Sequence, residues 1–443
     1  MSNKIFIFAT ILFATFSVKS ETHPLNIDGA NATLVGIQVN EISTGQSIYE
    51  YNSEMTFIPA SVMKVITTAS VMSKLGTSYK YETTVNAIGT IKDSVFIGDI
   101  VIGGVGDPTI DSRYFPNNRN FVNNIVTSLK NNGINTLQAS YVCNSSITEE
   151  GVAPHWQIED VAWGYGTGLY GVNYLDNTFD YYINQDSIFP PQNNIKIQNH
   201  TTYGTDAPIM VRGLNSSEIV ITGTIPNRKH YKIECATPHP EDILFNSIAK
   251  NFNITDSFQT ENVFNDTILL YKHHSPSLKN IMRSLMVRSD NLYAEAVLRL
   301  LATDRSRTMA IKNEINMWNF QGLDTKYISI NDGCGISRIN KLTPQFISDV
   351  MMWMATSKYN NDYVYLFPRA GKDGTLKNFL KGTRLSGKIA LKTGSMNGIQ
   401  TYAGYKLDAS GKPTHTVVIM VNSFFCKRYQ LIKEIERLLL QIF

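Results

Sequence analysis

The stretch PASVMKVITTAS, residues 59–70, opens on Pro59 and Ala60 and runs into an apolar segment. Val62, Val65, Ile66 and Ala69 recur at helical spacing, and Gly76 stands where such a helix would stop, so the pattern predicts a helix over 61–75. Ser61 and Lys64 lie one turn apart at its start, which places a hydroxyl and an amine on one face. A helix N-terminus adds backbone N–H donors and a positive dipole end, both suited to a developing oxyanion. A lysine that is desolvated, or that neighbours another cation, loses its proton more readily and can act as a base. Alone, the tetrapeptide proves little, because a serine at a helix start is usually a cap. The chain even holds a second copy, Ser247-Ile248-Ala249-Lys250.

Two further pieces follow. Ser289-Asp290-Asn291 stands before the helical pattern NLYAEAVLRLLA, where a hydroxyl and a carboxamide two residues apart can face a cleft and relay a proton. By itself it reads as a capping cluster. Lys392-Thr393-Gly394-Ser395 closes the strand-like GKIAL and offers a cation and a hydroxyl to a carboxylate. The glycine there lets a substrate backbone approach closely. By itself it is an ordinary strand-to-turn junction. The three occur in the order Ser-x-x-Lys, Ser-x-Asn, Lys-Thr-Gly, each on the element its chemistry needs, which is the signature of penicillin-binding proteins and serine β-lactamases.

The spacing narrows the resemblance. The long separation of Ser61 from Ser289 exceeds what a compact β-lactamase places there. The chain resembles the class C low-molecular-mass penicillin-binding proteins, the D-alanyl-D-alanine carboxypeptidase/endopeptidase family, which carry an insertion at this point. GGVGDPTI (103–110), NDGCGISRIN (331–340) and AGKDGTL (370–376) match as they stand, and the likeness covers nearly the whole mature chain. It implies a serine DD-peptidase acting on peptidoglycan stem peptides and inhibited by β-lactams. Ser61 would be the nucleophile and Lys64 its base. Ser289 would pass the proton to the leaving amine, and Asn291 would orient Lys64 and the substrate amide. Lys392 and Thr393 would hold the terminal carboxylate, and Gly394 would admit the substrate backbone. The N–H groups of Ser61 and Ser395 would form the oxyanion hole. WQIEDVAWGYG resembles the family's loop that reaches back to the active site, so Asp160 and Tyr165, with Met396 and Arg338, are expected around the free end of a diamino acid. Two departures stand out: Cys334 replaces a family serine, where an exposed thiol would be open to oxidation, and Ser395 stands where Thr is usual. A β-lactamase or esterase using the same residues, and a catalytically silent wall-binding module, are the alternatives.

The rest of the chain sets bounds. Of its 443 residues 43% are hydrophobic and 17% charged, an ordinary globular balance. Lys4, the apolar run 5–16 and the small residues after it resemble a signal peptide over 1–20, which implies export to the periplasm. Without Lys4 and Lys19 the formal charge falls from +3 to +1, and no Lys/Arg run offers a nucleic-acid surface. The four cysteines, Cys143, Cys235, Cys334 and Cys426, allow three pairings and their spacing selects none. With no CxxC or HExxH, neither metal nor other cofactor is expected. Oligomeric state stays open, a dimer included. The fold expected is α/β: a transpeptidase-like domain, 21–82 plus 272–443, with an antiparallel five-stranded sheet covered by helices and a large mostly-β insertion, 83–271. The amphipathic tail 427–443 fits a helix packed on that sheet better than a membrane-surface anchor, since its polar face mixes Glu and Lys.

Overall fold

The apolar runs at the two ends of the chain meet in one antiparallel sheet. Its order is Ile389–Met396, Ile399–Leu407, Pro413–Asn422, Leu34–Glu41 and Ser47–Tyr51, five strands as expected. In this computed structural model residues 23–443 are described, apart from 193, 215, 229 and 255–265; the signal segment 1–20 lies outside them. The central strand runs through VVIMV, residues 417–421, apolar at every step because both of its faces are covered. Val417, Ile419 and Val421 point to one core, while Val418 and Met420 point to the other.

The first of those cores is built on the C-terminal helix Arg428–Ile442. Leu431, Ile435, Leu438 and Leu439 of this helix are buried against the sheet, so the tail is a packed helix. The second core holds the helix Met63–Leu75, its neighbours Leu278–Arg288 and Asn291–Arg299, and Pro344–Thr356. Among the described residues no helix is long and apolar enough to cross a membrane.

Between the helix Met63–Leu75 and Leu278 the chain builds a second five-stranded sheet with two helices on it, Phe121–Asn131 and Pro240–Ala249, and smaller sheets around a separate core. Its outgoing strand Glu82–Lys92 and returning strand Thr267–His274 pair antiparallel, so the chain leaves and re-enters the unit built on the first sheet side by side. Buried Arg299 ties this region back, donating to the carbonyls of Thr148 at 2.7 Å and Glu149 at 2.8 Å.

Candidate active site

The helix that carries Lys64 does not begin cleanly. Ala60 has φ of 47°, a left-handed conformation that costs a non-glycine residue about 1 kcal/mol. A short 3-10 turn, Ala60–Val62, then leads into the α-helix from Met63. This kink places Ser61 at the mouth of a cavity while Lys64, one turn on, is fully buried.

Lys64 Nζ donates to Ser61 Oγ at 2.9 Å, Asn291 Oδ1 at 2.7 Å and the Cys334 carbonyl at 2.6 Å. Three acceptors match the three protons of an ammonium, so orientation is fixed. Burial pushes the pKa of Lys64 down, opposed in part by the acidic groups of Cys334 and Asp332. Lys392 is equally buried, donating to Ser289 Oγ at 2.8 Å and the Thr393 carbonyl at 2.6 Å. Its pKa is held well below the usual lysine range by burial first and by the nearby Lys64 charge second.

Ser289 is the hinge that makes this possible. The chain forms two helices here, Leu278–Arg288 and Asn291–Arg299, and Ser289 sits between them with φ 65° and ψ 36°. Asp290 caps the second helix by accepting from the Tyr293 N–H, which puts Asn291 at its first turn beside Lys64. Gly394 closes the other wall. A Cβ added there would stand 2.2 Å from Thr401 Oγ1 and 3.0 Å from the Ser61 nitrogen, so the strand and Ser61 pack with no room for a side chain.

One cavity of about 450 Å³ is lined by Ser61, Asp160, Tyr165, Ser289, Asn291, Arg338, Ser395 and Met396. Those eight were singled out from sequence; Gly335, Ile336 and Asn397, which also line it, were not. Lys64 and Lys392 lie behind its wall, and Thr393 stands beside it, its hydroxyl 2.9 Å from that of Thr375. The Tyr165 hydroxyl donates to Asp160 at 2.8 Å, Arg338 Nε donates to Gln157 at 2.8 Å, and the Asn291 amide donates to the Tyr165 carbonyl at 2.7 Å. The loop from the inserted region is thus bonded to the Ser-x-Asn motif itself.

The model of the D-Ala-D-Ala carboxypeptidase 3 (S13) family matches residues 23–435. The chain belongs to that family. A similar relative is D-alanyl-D-alanine carboxypeptidase DacB of Haemophilus influenzae, 24% identical over 91% of this chain and 88% of its own. The D-alanyl-D-alanine carboxypeptidase of an Actinomadura species is 21% identical over 86% of this chain and 77% of its own. In fold, the chain is similar to the crystal structure of penicillin binding protein 4 from H. influenzae, with a TM-score of 0.78, 20% identity and coverage of 95% and 97% of the two chains.

One expectation for this D-Ala-D-Ala carboxypeptidase family member fails. Cys334 is not an exposed thiol; it is fully buried, and burial holds its pKa well above the usual thiol range. What the site uses is its carbonyl. Glu295 fixes that carbonyl by accepting from the Gly333 and Cys334 N–H groups at 2.7 and 3.1 Å. Asp332 accepts from Gly335, Ser337, Asn340 and Trp156 at 2.6 to 2.8 Å and pins the rest of the loop. The four cysteines are all unpaired. Sequence reasoning missed Glu295, although it lies four residues after Asn291 on one helix face and was discoverable by that spacing. It also missed Arg428, whose guanidinium donates to Ser395 Oγ at 2.6 Å, the Met396 carbonyl at 2.6 Å, the Ile399 carbonyl at 2.9 Å and Gln400 Oε1 at 2.7 Å. No local motif marks that arginine. It reaches the site from the C-terminal helix.

Proposed function

We propose that this serine D-Ala-D-Ala peptidase works through an acyl-enzyme on Ser61, cleaving the D-Ala-D-Ala end of peptidoglycan stem peptides and cross-bridges of like chemistry. The observation that carries the assignment is the 2.9 Å contact between Ser61 Oγ and a buried, triply bonded Lys64 at the mouth of one cavity.

A substrate carboxylate arriving at Lys392 and Thr393 favours the charged form of Lys392. That charge, close by in a dry site, disfavours a second ammonium on Lys64. Lys64, as free amine, then takes the Ser61 proton while Oγ bonds to the penultimate D-alanine carbonyl carbon. The oxyanion is met by the N–H groups of Ser61 and Ser395, each such donor contributing about 3 kcal/mol in comparable enzymes. As the C–N bond breaks, the proton returns through Lys64 and Ser289 to the leaving amine. Water then attacks the ester, with Lys64 again as base, and frees Ser61. Asp160, hydrogen-bonded to Tyr165, supplies the counter-charge for the free ammonium of a diamino acid, with Met396 and Arg338 at its side. Segment 83–271 is read as the accessory domains that deliver this loop, and 1–20 as the signal for export to the periplasm.

The test is paired. Purified protein is given a D-Ala-D-Ala-terminated stem pentapeptide, and separately benzylpenicillin. Release of D-alanine together with a slowly hydrolysed penicilloyl adduct supports the reading. Rapid turnover of penicillin without D-alanine release makes the protein a β-lactamase instead.

A further inference from the structure

The catalytic cavity does not end at the diamino-acid pocket. Arg338 and Asn397, which close it, also line a second cavity of about 340 Å³. Phe57 and Ile58 line this second space, with half-exposed Leu34 and exposed Lys341 beside them. Phe57 pairs with Leu342 through backbone bonds of 2.8 and 3.0 Å, which seats Lys341 next to that apolar wall.

Direction follows from the catalytic strand. It runs from Lys392 to Met396 and turns back at Asn397-Gly398 into the strand that begins at Ile399. A peptide laid along it with its C-terminal carboxylate at Lys392 and Thr393 has its earlier residues at Met396 and beyond. Those residues meet the second cavity next.

Charge selects what they carry. The lining includes Arg338 and Lys341 and, among the described residues, no Asp or Glu. Arg338 spends its Nε on Gln157, and Lys341 has no side-chain partner among the described residues. A cation held against apolar surface, with no acid to neutralise it, suits a ligand carboxylate through a charge-assisted hydrogen bond. In peptidoglycan stems the residue before the diamino acid is a D-glutamate joined through its side chain, which leaves its α-carboxylate free unless the cell amidates it.

We propose that the second cavity is a subsite for this upstream part of the stem, and that Lys341, with Arg338 at the shared wall, reads the free α-carboxylate of the D-glutamyl residue. The proposal rests on the DD-peptidase reading above and adds a specificity to it. The ligand is a carboxylate-bearing peptide, and amidation is the chemical change that would weaken it.

The experiment uses two stem pentapeptides that differ only in that group, one with the free D-glutamyl carboxylate and one with its amide. D-Alanine release gives kcat/KM for each. The full-length mature protein is expected to favour the free acid about tenfold, a difference of about 1.4 kcal/mol. Lys341→Met is expected to bring the free acid down to the amide, and Lys341→Arg to restore the preference. Equal rates in the unaltered protein overturn the subsite, and so does a preference that survives Lys341→Met. Cleavage of neither peptide, with no penicillin adduct, overturns the DD-peptidase reading and the subsite with it.

Discussion

The chain contains the same tetrapeptide pattern twice, and the two copies differ in everything except sequence. Ser61 precedes its helix on a strained 3-10 turn, and the Lys64 amine reaches its hydroxyl at 2.9 Å. Ser247 lies in the last turn of Pro240–Ala249, where its hydroxyl donates back to the Ile243 carbonyl at 2.7 Å and is thereby spent. Lys64 is buried among three acceptors, whereas Lys250 is exposed at the helix end. An i, i+3 spacing makes a contact possible but does not make it occur. What converts spacing into chemistry is desolvation of the amine and removal of competing acceptors for the hydroxyl, and both come from the packing of other elements.

The comparison can be broken most severely at the lysines. Lys64→Met should cut the rate of acylation by benzylpenicillin roughly a thousandfold, the scale of a lost general base, while Lys250→Met should leave it unchanged. Time-resolved intact mass measures both. The pH profile sharpens this point. On the proposed mechanism only the free amine of Lys64 takes the Ser61 proton, and burial lowers its pKa, so acylation should rise with pH and level off below the usual lysine pKa of 10.5. A profile still climbing through that value would show an ordinary, solvated lysine.

A smaller effect is expected at Arg428, which no copy of the motif at Ser247 possesses. Its Nη1 shares two hydrogens among Ser395, Ile399 and Gln400, so it binds both arms of the turn that follows Lys-Thr-Gly. Arg428→Gln should slow acylation about tenfold by loosening the oxyanion donor at Ser395, with little change in unfolding temperature. A variant whose acylation rate is unaltered would leave Arg428 a surface clasp only. Smaller again is Asp160→Asn, expected to raise KM several-fold for a stem peptide with a free side-chain amine. With the amine acylated, the two proteins should give the same KM.

The smallest effect tests burial away from the chemistry. Glu314 lies fully buried, and desolvation lifts its pKa from 4.5 to about 7. The folded state therefore keeps a proton that the unfolded chain has released between those values. Glu314 favours folding below pH 4.5, and this contribution is lost as pH rises through 7. Glu314→Gln should flatten that slope, gaining on the order of 2 kcal/mol relative to wild type at pH 8 compared with pH 5, as read by denaturant unfolding.

Much of this was legible in residues alone because the chemistry is locally written. Ser61 and Lys64 announce themselves by helical spacing, Lys392 by its place at a strand end, and part of the sheet by the short apolar runs in 389–422. The capping cluster at Ser289-Asp290-Asn291 was legible as a helix start, but the left-handed backbone that turns Ser289 toward Lys392 was not, since a serine carries no mark of that conformation. Cys334 misled because a small residue in a loop looks exposed, yet the carboxylates of Glu295 and Asp332 draw the loop into the core. Arg428 was hidden because its partners lie some thirty positions earlier and are mostly backbone atoms, which carry no residue identity to search for.

The most direct test maps the site of the covalent bond. Wild-type protein, Ser61→Ala and Ser247→Ala are each incubated briefly with benzylpenicillin, digested and analysed by mass spectrometry. The account predicts a single penicilloyl group on the peptide containing residues 59–70 in the wild type and in Ser247→Ala, and none in Ser61→Ala. An adduct that persists in Ser61→Ala, or one found on another peptide, would contradict it.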